Sequence, residues 1–241
     1  ATGAPLVTPG HLKLVTNAAV QHCDAADGLR DGLIADPRRC NFDPAQLACK
    51  SNGAAPDDSC LTPAQIDAFR KVHAGLKHPR TGERLFAGFS KGSESLGENP
   101  SLSWRQYLLD PKEPMRAEVL RYFLFHDLNW DWRTVDFDRD LAFADRELGF
   151  MNARAADISP FTKRGGKLIL YAGWADPIVP PEDTVSYYES VVGAMGGIAK
   201  TQQFARLFVA PGMAHCAGGP GPNRFDALAA LDRWVTKGEA P

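Results

Sequence analysis

From residue 165 onward the chain alternates short apolar runs with helical stretches, and this alternation limits the fold more than any other feature. "GGKLILYAGWADPIVPP" opens with consecutive apolar residues, the pattern of a strand buried on both faces, and ends in a loop holding Asp176. "EDTVSYYESVVGAM" reads as a helix, and "QFARLFVAPGMAHC" as a second strand running into a loop with His215. "NRFDALAALDRWVTKG" reads as an amphipathic helix with Phe225, Leu228, Leu231, Trp234 and Val235 on one stripe. Strand, loop, helix, repeated, is the pattern of a doubly wound α/β sheet, whose sites lie at the carboxyl ends of the strands. Two strands do not complete a sheet, and residues 1–160 offer no further β-α-β unit.

Those residues have a different character. Residues 10–22 predict a helix. Residues 23–62 are rich in turns. The stretch 61–76 carries Thr62 as a cap, Pro63 at the first helical position and apolar residues at helical spacing, so it predicts a second helix. Residues 77–100 read as loop and 114–128 as a helix with aromatics on one side. "NWDWRTVDFDRDLAFADREL" then follows, dense in Trp, Asp and Arg. A loop-rich region this long beside so little core reads as a functional insertion of the lid kind.

The chain has 241 residues, 44 % of them apolar and 23 % charged, which suits a globular protein with a sizeable core. A net charge of −2 implies no basic face, so neither nucleic acid nor an anionic membrane surface is an expected partner. No apolar run approaches the roughly 20 residues that span a bilayer. The opening "ATGAPLVTPGHLKLV" lacks a charged start followed by an apolar block, so the chain is expected to be a mature form or to begin partway through a longer product. Cys23, Cys40, Cys49 and Cys60 cluster in turn-rich sequence and Cys216 stands alone beside a histidine. Two local bridges, 23–40 and 49–60, with one odd thiol is the simplest arithmetic, and it points to an oxidising compartment. Zinc is the competing reading, but there is no C-x-x-C pair.

Asp176 and His215 occupy successive strand-end loops, where a carboxylate can fix an imidazole in one tautomer. A nucleophile is harder to find. "GFSKG" (88–92) matches G-x-S-x-G, which places a serine on a sharp strand-to-helix turn. Around Ser90, however, only Leu85 and Phe86 are apolar beforehand, and Gly97 and Pro100 prevent a helix afterwards. Ser90 is therefore read as a loop serine, with a self-contained serine hydrolase as the alternative. Asp24, Asp27 and Asp31 fall within "DAADGLRDGL", and three carboxylates held together repel unless a cation sits between them. Hard oxygen ligands in a flexible loop suit Ca²⁺ with backbone carbonyls completing the shell, although the spacing is not that of an EF-hand. Trp130, Trp132 and Phe137 suit either an aromatic pocket or a satellite core. Val179, in the loop after Asp176, joins Trp130 and Trp132 as a candidate substrate contact. The remaining histidines (11, 22, 73, 78 and 126) have no spacing pattern and read as surface or packing residues.

With "CDAADGLRDGLIADPRRCNFDP", "CLTPAQ", "NWDWRTVDFDRD", "GWADPIVPP" and "PGMAHCAGGPG" in this order, the chain resembles the tannase/feruloyl esterase family, which also includes mono(2-hydroxyethyl) terephthalate hydrolase. The resemblance implies an α/β-hydrolase core with a large inserted lid stabilised by disulfides and calcium. Residues 1–9 would end an upstream core segment, 10–158 would form the lid, and 159–241 would form the carboxyl-terminal part of the catalytic domain. It implies Asp176 as triad acid and His215 as triad base. It also implies a structural Ca²⁺ held by the side chains of Asp24, Asp27 and Asp31 and the carbonyls of Leu29 and Leu33. In this family the cysteine after the catalytic histidine bonds to one just before the nucleophilic serine, in a G-C-S-x-G-G motif upstream of the lid. Cys216 matches one half of that bridge, and the motif itself is absent from this sequence. The expectation is thus the carboxyl-terminal portion of a secreted or periplasmic esterase of aromatic esters, whose partner is the amino-terminal portion carrying the Cys-Ser motif. Alone, it is expected to be inactive. The further alternative is a non-catalytic calcium-dependent binding module.

Overall fold

The computed structural model describes residues 5–50, 58–97, 99–109 and 117–241. Helix α1 (Pro9–Cys23) starts where Thr8 accepts the His11 amide and His11 Nδ1 accepts the Thr8 amide, closing the helix end from both sides. Helix α2 (Pro63–Ala74) starts by the same chemistry, with Thr62 and Gln65 in the two roles. Both have proline in the first turn, where no amide partner is lost. Leu12, Val15 and Ala19 of α1 and Ile66 and Phe69 of α2 meet Ile34, Phe42, Leu61 and Trp104 in one buried core. Two disulfides, Cys23–Cys40 and Cys49–Cys60, hold the turn-rich chain against it, as the cysteine arithmetic predicts.

Residues 77–100, expected to be loop throughout, contain part of a small antiparallel hairpin, β1 (Leu76–Lys77) with β2 (Arg84–Phe86). These strands are too short to carry a period-2 signal, so the turn residues between them dominated the sequence pattern. A single turn, α3 (Arg105–Leu108), follows. Of the helix expected over 114–128, residues 114–116 lie outside the described residues. The rest begins as α4 (Ala117–Val119) and widens into a π-helix over Leu120–Phe125. That segment delivers Phe125 onto Trp130 at 4.7 Å and Phe143 at 5.9 Å, ring contacts that outweigh local helix preference. Phe143 belongs to α5 (Phe137–Leu148), capped by Asp136. The single turn α6 (Ser159–Thr162) leads into the sheet.

Strand β3 (Leu168–Gly173) pairs in parallel with β4 (Ala205–Ala210), from Leu168↔Ala205 to Gly173↔Ala210. Helices α7 (Pro181–Ala194) and α8 (Ile198–Thr201) form the crossover, and α9 (Ala227–Lys237) closes the chain. This is the α/β unit expected, with one correction. The strands are not buried on both faces: Tyr171 is 44 % and Phe208 46 % exposed. The stripe on the last helix is likewise open at Phe225, Leu228 and Val235, and Trp234 is its buried member. Among the described residues this sheet has two strands, too few to cover either face. No helix among them is long and apolar enough to cross a membrane.

Candidate active site

The parallel register ends at Gly173 and Ala210, so the two loops that leave the sheet emerge side by side. The Ala175 amide donates to the Met213 carbonyl at 3.0 Å and ties one loop to the other. Gly173 makes this approach possible, since a Cβ there would collide with the Met213 carbonyl oxygen. The second loop folds back on itself. The Ala214 amide donates to the Gly218 carbonyl, the Gly221 amide to Gly212, and the Asn223 side chain to the Gly221 carbonyl. Cys216, at φ +60°, turns the chain just past His215.

On this frame the Asp176 carboxylate and the His215 ring meet, Nδ1 to Oδ2, at 2.8 Å. Asp176 is 6 % exposed, and its other oxygen accepts the amides of Ile178 (2.8 Å) and Val179 (2.9 Å). With one oxygen fixed by the backbone, the second is aimed at the imidazole. A carboxylate accepts, so Nδ1 donates and Nε2 is left as the basic nitrogen. His215 is 41 % exposed on its side chain, and Nε2 has no partner among the described residues. A proton acceptor held in one orientation and facing outward is what this arrangement supplies.

The other candidates fall elsewhere. Ser90 is buried in a loop between the three-residue β2 and a turn, and its carbonyl accepts from both the amide and the hydroxyl of Ser93. Neither the long strand nor the following helix of a nucleophile elbow is present around it. Trp130 stacks on Phe125, and Trp132 lies under the Arg133 guanidinium, 4.6 Å from its ring centre. Val179 sits in the loop that holds Asp176 and is 39 % exposed. Sequence reading missed Arg38, whose guanidinium is gripped by Asp36 at 2.8 and 2.7 Å and lies 4.9 Å above the Trp174 ring, two residues before Asp176. Its sequence signal was charge in "DPRRC", two positions before a cysteine.

Asp24, Asp27 and Asp31 share one loop, and each turns it by accepting amides. Asp24 accepts from Asp31 and Gly32, Asp27 from Leu29, and Asp31 from Leu33. The donor set is all oxygen, which fits a hard cation. Among the described residues, no three carboxylate, histidine or cysteine side chains converge on one point to hold a metal. Cys23–Cys40 spans this loop, and Cys216 is an exposed free thiol.

The α/β unit thus holds a buried aspartate that orients an outward-facing histidine at its strand ends. The comparisons with known proteins supply the family. Tannase and feruloyl esterase is the family that matches residues 1–241, and the chain belongs to it. An uncharacterized esterase of Xanthomonas campestris pv. campestris is 37 % identical over 99 % of this chain and 48 % of its own length. The mono(2-hydroxyethyl) terephthalate hydrolase of Piscinibacter sakaiensis is 34 % identical over 100 % of this chain and 46 % of its own. The crystal structure of feruloyl esterase B from Aspergillus oryzae superposes with a TM-score of 0.86 at 30 % identity, covering 98 % of this chain and 48 % of that one. The chain thus spans about half the length of the relatives it matches.

Proposed function

We propose that this chain supplies the acid and base of a carboxylic ester hydrolase acting on aromatic esters, hydroxycinnamoyl, galloyl or related, and that the nucleophilic serine comes from sequence outside it. The observation that carries the reading is the 2.8 Å contact between His215 Nδ1 and a buried Asp176. His215 Nε2 takes the proton of a serine hydroxyl as its oxygen attacks the ester carbonyl, and Asp176 stabilises the imidazolium. The imidazolium then protonates the leaving alkoxide. The cycle repeats with water to release the acid. Relatives named as feruloyl esterase and terephthalate monoester hydrolase support the aromatic acyl class.

Residues 10–158 act in this reading as the lid over a catalytic domain that includes 1–9 and 159–241. Trp130, Trp132 and Val179 are its candidate contacts with the acyl group. Asp24, Asp27 and Asp31, with the carbonyls of Leu29 and Leu33, would hold a structural Ca²⁺, whose charge would offset that of the three carboxylates. Cys216 would bond to a cysteine beside the serine. Two disulfides and the fungal feruloyl esterase relatives support a secreted or periplasmic setting. The test is hydrolysis of methyl ferulate by this chain alone and by the chain joined to the amino-terminal half of a family esterase. Turnover in the joined protein only, lost in His215→Ala, is expected. Retained turnover by the isolated chain would overturn the account, and binding without turnover in either form would make it a binding module.

A further inference from the structure

The loop bearing the G-x-S-x-G string does something other than present a nucleophile. Just past Gly92 it buries Glu94 completely. Glu94 Oε2 accepts the Thr16 hydroxyl of α1 at 2.9 Å and the Gly92 amide at 3.0 Å. Its other oxygen, Oε1, lies 3.1 Å from Nε2 of His73 on α2, a side chain only 8 % exposed. Neither of those two atoms has another hydrogen-bond partner among the described residues. At the far side of the ring, Nδ1 is 3.0 Å from the Phe89 carbonyl, which can only accept, so Nδ1 carries a hydrogen. A neutral ring with its hydrogen on Nδ1 would point the Nε2 lone pair at a carboxylate oxygen. One further proton between the two atoms removes that clash.

We propose that Glu94 and His73 hold one proton between them, and that this buried pair is a pH-sensitive latch joining α1, α2 and the 88–95 loop. With the proton the pair is neutral overall, whichever atom bears it. Without it, a buried negative charge and two opposed lone pairs remain, an arrangement that costs stability. Two hydrogen bonds, from Thr16 and the Gly92 amide, offset part of that charge, and among the described residues His73 is the basic side chain within ion-pair distance of it. Lys91 of the same loop donates to the Cys40 carbonyl at 2.6 Å, and on α2 Arg70 pairs with Asp43 and Lys71 with Asp67. α1 presents the uncharged Thr16, and the Trp104 ring stands edge-on to His73 at 5.2 Å. The latch therefore closes while the proton is held and weakens as pH rises and the proton leaves. Lys91, Gly92 and Ser95 line a cavity of about 600 Å³ together with Trp174, so release loosens one wall of it.

The test is thermal unfolding of the full chain from pH 5 to 10, wild type beside Glu94→Gln. In the variant the carboxamide keeps an acceptor for Thr16 and Gly92 and turns a fixed N–H toward His73 Nε2. Wild type is expected to lose stability with rising pH more steeply by up to one proton, about tenfold in the folding constant per pH unit, and the variant to lack that extra loss. Parallel profiles would overturn the proposal. Should the variant not fold, NMR of ¹³C,¹⁵N-labelled wild type decides. A proton on His73 Nε2 or on the Glu94 carboxyl at neutral pH supports the latch, and a bare Nε2 facing an ionised carboxylate overturns it.

Discussion

Asp176 and His215 stand 39 residues apart in sequence and 2.8 Å apart in space, because β3 and β4 are paired in parallel and end together. The aspartate's second oxygen, bound by two backbone amides, gives it no freedom to turn away. Asp176→Asn should therefore leave the fold intact and present the wrong tautomer to the serine. In the joined esterase kcat should fall by roughly 10³–10⁴ with KM little changed. Steady-state kinetics on methyl ferulate checks it.

Cys23–Cys40 closes a loop of 17 residues between the end of α1 and the core, and both cysteines are buried. Replacing the pair by alanine should cost about 3 kcal/mol through the freed unfolded chain, read as a lower denaturant midpoint. The same loop carries Asp24, Asp27 and Asp31. If Ca²⁺ binds there, unfolding in excess Ca²⁺ should shift upward by about 2.7 kcal/mol at a hundred times the dissociation constant. Asp24→Ala should abolish the shift, because Asp24 alone accepts two amides that turn the loop.

How much of this was readable beforehand divides by the range of the forces involved. The helix over residues 10–22, the capped start of α2, the two disulfides and the order of β3, α7 and β4 rest on neighbours in sequence, and all were legible. That Asp176 and His215 lie in neighbouring strand-end loops was legible too, since a polar residue after an apolar strand has few other places to go. The π-turn at Leu120–Phe125 was not, because it depends on Phe125 meeting Phe143 of a later helix. His73 looked like packing until Glu94, 21 positions on, was placed against it. The open faces of Tyr171 and Phe208 were misread because an apolar run does not say how many strands flank it.

Asp36 offers a pH test of its own. The hydrogen bonds from Arg38 hold its carboxyl below the usual carboxylate range, against a smaller opposing effect of burial. The folded value is lowered, so the pair's contribution is present above about pH 4, where the unfolded carboxyl is ionised, and is lost as pH falls through the folded value. Arg38→Ala also removes the guanidinium from Trp174. Because both side chains are partly exposed, the cost at pH 7 should be only about 1 kcal/mol. It should shrink in acid. Urea unfolding at pH 7 and pH 3 measures both.

The central claim is that Asp176 and His215 serve a serine that lies outside these residues. Labelling the active, joined esterase with a serine-directed fluorophosphonate and mapping the modified peptide tests it most directly. The account predicts the label on a serine preceded by cysteine, outside residues 1–241, with Cys216 disulfide-linked to that cysteine. A label on Ser90, in "GFSKG", would contradict it.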